Sequence, residues 1–326
     1  MTTHAVPAGR PATWSPRALL ERLRLGDELA QAVTLLSAAT ILFLTALVVY
    51  ELWLNSHLAR GRFGWPFLFT STWDPVFEKF GALPFIFGTL VTSAIALLIA
   101  VPLGIGAAIF LAELATTRIS DGLAFLIDLL AAVPSVIYGL IAIFVLVPVM
   151  RTVIEPTLKT AFGYLPLFRG PMYGVGLLTA GVVLAIMIVP FIISVSREVL
   201  LAVPRDQREA ALALGATRWE ATWRVVIPFA RTGIFGSIFL ALARALGETM
   251  AVTMVIGNDP KISASLFAPG YSIAAVIANE FTEATGDLYV HALILLGLVL
   301  FALTFVLNGL ARLLVLATTR RGTAHA

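Results

Sequence analysis

Two groups of residues in this 326-residue chain have types and spacings that carry chemistry. The first is Arg244 and Glu248, four apart within the apolar stretch ALARALGETMAVTMV, with the hydroxyl of Thr249 beside them. A guanidinium offers five donors in a planar fork that suits an oxyanion, and a nearby carboxylate can hold that fork until an anion competes for it. The same i,i+4 spacing also suits a purely structural ion pair joining one helix to its neighbours. A lone charge at mid-membrane costs from about 3 to more than about 10 kcal/mol, so either role requires partners or water. The second group runs from Arg208 to Pro228, REAALALGATRWEATWRVVIP. Glu209-Ala210-Ala211 is followed after three residues by Gly215, and then by Val225, Ile227 and Pro228. This pattern suits docking rather than bond-breaking: an Ala-faced helical knob that fits a groove on another protein.

The elements around these groups follow from composition. The chain is 59% hydrophobic and 13% charged, too apolar for a soluble domain of this length. Uncharged runs at 29–50, 80–112, 129–150, 170–196 and 288–311 each reach the length of about 20 residues that a spanning helix needs. A sixth segment, 232–256, is apolar apart from Arg244 and Glu248. The expected class is therefore all-α, a polytopic membrane protein with six transmembrane helices. Its helices are placed at about 29–53, 83–111, 122–149, 173–195, 232–256 and 288–317. Pro134-Ser135 falls inside the third, 151–172 reads as a polar loop, and 257–286 as a re-entrant or interfacial piece broken by Pro269-Gly270. A polar arm, 1–28, precedes the membrane domain 29–317, and 318–326 is a short basic tail.

Between the fourth and fifth spans, the loop 196–231 should fold as two short helices. Pro204 suits the first turn of one, and Gly215 suits its end. Thr217 and Glu220 have capping-box spacing for the next. On that second, amphipathic helix Trp219, Trp223 and Val226 share a face, and Glu220 and Arg224 form an i,i+4 pair.

With six spans and the N-terminus inside, inner segments hold 14 Lys/Arg and outer segments seven, Arg244 being the remaining one. This excess places both termini and the Glu209 loop in the cytoplasm of a multi-pass cell-membrane protein, and makes the basic balance a topology signal rather than a nucleic-acid one. There are no cysteines, hence no disulfide or thiolate site. The three lysines, Lys79, Lys159 and Lys261, lack the preceding glycine of a phosphate-binding loop, and no HExxH occurs. His291 reads as an interfacial or packed residue. No catalytic residue, cofactor site or metal site is expected in this chain.

The Glu209-Ala210-Ala211, Gly215, Pro228 pattern resembles the EAA loop of permease subunits of binding-protein-dependent ABC importers, with Val225 and Ile227 in place of the family's Ile and Leu. The stretch Arg244 to Val252 resembles the signature of permeases in high-affinity phosphate importers. Trp73-Asp74-Pro75, FGALPFIFGTL at 80–90, AAVPSVIYGL at 131–140 and LTAGVVLAIMIVP at 178–190 agree, and match the C-type permease better than the A-type.

The resemblance implies the type I importer permease fold. It implies a heterodimer with a second permease, two ATPase subunits that bind the ATP and Mg, and a phosphate-binding protein outside. Arg244 and Glu248 become the transport-critical charged pair, with Thr249 beside them, and Glu209, Ala210, Ala211, Gly215 and Pro228 the ATPase coupling element. A permease for sulfate or molybdate is the near alternative. A secondary transporter would also explain the buried charges, but not the cytoplasmic knob.

Overall fold

The computed structural model describes residues 27–322, so most of the expected arm 1–28 and the last residues of the tail lie outside the described residues. The chain divides into two units, ending and beginning at Glu51 and Leu52. The first consists of most of helix α1 (Asp27–Asn55), whose apolar side chains are exposed along its length. The hydroxyls of Ser37, Thr40 and Thr45 fold back onto the carbonyls of Val33, Leu36 and Ile41 at 2.8–2.9 Å. These bonds satisfy the hydroxyls within the helix itself.

The second unit contains α2 (His57–Phe63), α3 (Leu83–Leu114), α4 (Thr117–Ala131), α5 (Ser135–Phe162), α6 (Leu177–Leu201), α7 (Arg205–Ala213), α8 (Arg218–Gly247), α9 (Met250–Thr253), α10 (Ile273–Glu280) and α11 (Asp287–Gly322). Six helices of the described residues are long and apolar enough to cross a membrane: α1, α3, α5, α6, α8 and α11.

Helix α6 lies at the centre of this unit. Leu184, Met187, Ile188 and Ile192 are buried on it, packed with Ala96 and Ala100 of α3, Ala142 of α5 and Ala241 and Ala245 of α8. Lipid is as apolar as leucine, so small residues that let backbones approach supply the attraction here. A Cβ on Gly181 would lie 2.5 Å from Ile95 Cγ2, so the close approach of α3 and α6 depends on glycine there. A second core joins Phe67, Phe80 and Phe85 to Tyr271, Leu293 and Leu296. Trp73 is wedged between Phe80 and Phe85, at 4.8 Å from each ring, and its Nε1 donates to Glu280 at 2.8 Å. The neighbouring Asp74 accepts from the amides of Val76 and Phe77, closing a turn.

Segment 257–286 folds back onto the helical bundle. It returns to the N-terminal ends of α3 and α6, where Ala268 and Leu266 carbonyls accept from Leu177 and Leu178 amides. The Ile273 amide donates to Thr89 Oγ1, nearly two turns inside α3. The approach is close: a Cβ on Gly88 would sit 2.1 Å from the Tyr271 carbonyl oxygen. Burial of its side chain pushes the Tyr271 hydroxyl up to about 12.

Four expectations about element boundaries are corrected, each by proline or glycine chemistry. The expected third span, 122–149, is two helices, because the chain breaks at Pro134: α4 ends at Ala131 and α5 starts at Ser135. The Tyr138 hydroxyl crosses that break to the Leu130 carbonyl at 2.8 Å. The segment 151–172 is not a loop throughout, since α5 runs on to Phe162. It does so by taking wide π turns at Ala142–Leu146 and Met150–Ile154, each ending two residues before a proline, Pro148 and Pro156. The wide turn absorbs the amide that proline lacks. The same device precedes Pro228: the turn Thr222–Val226 is π, so the helix after Thr217 does not lie apart from the fifth span but is its first part. The fifth span then ends at Gly247 rather than running to 256.

Candidate functional site

Helix α8 carries Arg244 in its last turn. The last charged residue before it on α8 is Arg231, and Arg244 lies about 20 Å further along at about 1.5 Å per residue. After Gly247 the backbone leaves the helix: Glu248 has φ −69° and ψ 128°, and the short α9 begins two residues later.

This break removes the expected i,i+4 pair. Helical register no longer aims Glu248 back at Arg244. Its carboxylate instead accepts from the Ala251 amide at 3.3 Å, capping α9. The Arg244 guanidinium is exposed, lies 6.0 Å from the Phe191 ring centroid, and makes no hydrogen bond or ion pair with the described residues. Thr249 lies in the break and its Oγ1 points to the Gly247 carbonyl at 3.4 Å. Thr253 donates to the Thr249 carbonyl at 2.7 Å. Non-helical backbone at membrane depth persists only where protein covers it or water lines it. An exposed cation, a helix end and a partly exposed carboxylate thus gather where a polar path could run. Sequence reading missed the break. Its signal is Gly247 within an otherwise helical apolar run.

The second site is built around α7. No residue of this helix is buried. Gly215 follows it with φ 88°, and no atom lies within 4 Å of where its Cβ would stand. The objection to a side chain there is therefore backbone strain alone. Thr217 and Glu220 form the expected capping box, with the Thr217 amide donating to Glu220 Oε2 at 2.9 Å and the Glu220 amide to Thr217 Oγ1 at 3.3 Å. Trp219 and Trp223 meet edge to face at 5.6 Å.

Two hollows flank α7. One, of about 420 Å³, includes Glu209 with Glu113, Arg205 and Arg218. The other, of about 470 Å³, includes Ala210, Ala211 and Gly215 with Glu220 and Arg224. The structure thus separates Glu209 from the alanine face and brings Ala210, Ala211 and Gly215 together. Pro228 lies beyond both hollows, inside α8.

Polar contacts that sequence reading did not assign position this end of the bundle. Asp128 of α4 accepts from Ser194 of α6 at 2.8 Å, and Arg197 of α6 pairs with Asp121 of α4 at 3.1 Å. Arg208 of α7 pairs with Glu113 of α3 at 2.7 Å. Among the described residues no group of three or more His, Cys, Asp or Glu gathers as a metal would require. His291 packs edge to face on His57 at 5.1 Å.

Residues 100–320 match the family described as binding-protein-dependent transport system inner membrane component. The chain is 49% identical to the phosphate transport system permease protein PstC of Mesorhizobium japonicum, over 97% of this chain and 98% of that protein. It is 49% identical to the protein of the same name from Xylella fastidiosa, over 88% and 90%. It is 38% identical to a probable phosphate transport system permease protein PstC of Methanocaldococcus jannaschii, over 88% and 92%. Among solved structures, a bacterial ABC transporter involved in the import of the acidic polysaccharide alginate superposes with a TM-score of 0.54, at 16% identity, over 89% of this chain and 98% of that one.

Proposed function

The chain belongs to the binding-protein-dependent transport system inner membrane components, and from that premise we propose that it is the C-type permease subunit of an ATP-driven importer of inorganic phosphate. The observation that carries this reading is near-half identity along almost the entire length to phosphate permeases. The site chemistry supports it: a cation with a planar fork stands unpaired beside a break in a membrane helix, where a dehydrating oxyanion needs compensation.

In this reading the protein spans the cytoplasmic membrane with both termini inside, as the Lys/Arg distribution favours. A second permease completes the path that the exposed side of Arg244 faces. Two ATPase subunits hold ATP and Mg and seat α7, with Ala210, Ala211 and Gly215 against them, while a phosphate-binding protein delivers the anion outside. The permease itself performs no hydrolysis. Glu248 and Thr249 serve the path as acceptor and hydroxyl at the helix break.

Cells that carry or lack this chain test the reading through uptake of radiolabelled phosphate at low external concentration. Uptake is expected to vanish with the chain and to persist undiminished under excess sulfate or molybdate. Competition by either oxyanion would contradict the assignment of phosphate.

A further inference from the structure

Helix α7 has no buried residue, so apolar packing alone holds its position only weakly. Yet an element that passes force from an ATPase to a membrane domain must not swing freely. Among the described residues, one side chain of α7 forms hydrogen bonds or ion pairs with other elements, and it is Arg208. Its Nε lies 3.2 Å from both oxygens of Glu113, and its Nη2 lies 2.7 Å from Oε1. The same Nη2 donates to the Leu200 carbonyl at 2.7 Å, and Nη1 donates to the Val203 carbonyl at 2.5 Å. A single guanidinium thereby joins three elements: the end of α3, the C-terminus of α6, and α7.

Each part suits the task. Leu200 is in the last turn of α6, where carbonyls lack helical partners and a cation is favoured. Glu113 lies in the π turn Phe110–Leu114 that ends α3, and is the single carboxylate of that span. Its side chain is 9% exposed and that of Arg208 is 20% exposed, so water screens the pair far less than a surface bridge. Lysine could not reproduce the arrangement, since four acceptor atoms in different directions need a planar fork.

We propose that Glu113 and Arg208 form a clamp that makes α7 move as one body with the inner ends of α3 and α6, so that motion of the docked ATPase reaches the two most closely packed spans. They are positioning residues: neither touches phosphate nor nucleotide. The proposal rests on the reading of α7 as the ATPase coupling helix.

The test uses the whole reconstituted complex, comprising both permeases, the ATPase and the binding protein, in proteoliposomes. Assembly, ATP hydrolysis stimulated by the binding protein, and phosphate taken up per ATP are measured together. Glu113→Gln keeps the shape and an acceptor but removes the charge. Arg208→Lys keeps the charge but removes the fork. Both are expected to assemble normally and to lower phosphate per ATP about tenfold, within the range that coupled sites span. The exchange of the two residues, E113R with R208E, should recover part of that loss, though not the contacts to the Leu200 and Val203 carbonyls.

Unchanged phosphate per ATP in both single variants would overturn the clamp. So would a loss of uptake that only tracks loss of assembly, because that is what a merely structural bridge gives. Wild-type complex that shows no phosphate uptake at all would instead remove the coupling reading on which the clamp rests.

Discussion

Replacing Arg244 by glutamine is expected to lower phosphate uptake by at least about a hundredfold while the permease remains in its complex. The magnitude follows from two charge-assisted hydrogen bonds, worth together about 3 kcal/mol or more. Glutamine cannot supply that charge, and phosphate entering a narrow path loses hydration that nothing then offsets. Arg244→Lys keeps the charge and loses the fork, so partial uptake at most is expected. Glu248→Gln preserves an acceptor for the Ala251 amide, which is that side chain's bond in the structure, so assembly should survive while turnover slows. Uptake and co-purification measured for each variant check these outcomes. Near-normal uptake by R244M with E248Q would reduce both residues to structural roles.

The second large effect is uncoupling at α7. At φ 88°, valine at position 215 is expected to cost about 1–3 kcal/mol of backbone strain and to reorient the turn rather than to clash with a neighbour. Ala211→Trp should fill the hollow that Ala210, Ala211 and Gly215 line. In both variants uptake should fall about tenfold or more, and ATP hydrolysis should cease to respond to the binding protein. Normal stimulated hydrolysis and uptake in both would remove the assignment of α7 as the docking element.

The spans were legible because an apolar run of membrane length leaves a chain few alternatives, and the capping box at Thr217 was legible because two side chains three apart satisfy each other locally. Gly215 was legible for a similar reason, since a small residue after an Ala-rich helix marks its end. Three features were not legible. Proline reads as a stop, but at Pro148, Pro156 and Pro228 a π turn just upstream lets the helix continue, and nothing in the local residue types distinguishes that from the true break at Pro134. Arg244 and Glu248 looked paired because the run 232–256 reads as one helix, and Gly247, the local sign of the break, is a residue that membrane helices also carry in their interiors, as α8 does at Gly233 and Gly236. The Glu113–Arg208 contact joins residues 95 positions apart, and no periodicity encodes a meeting at that separation.

Reconstitution tests the central claim most directly. Proteoliposomes containing this permease with its partner permease and ATPase are given the phosphate-binding protein on one face and ATP on the face that bears α7. The account predicts phosphate accumulation that requires both additions and stops when either is withheld. Phosphate accumulation driven by a proton or sodium gradient, with the ATPase absent, would contradict it.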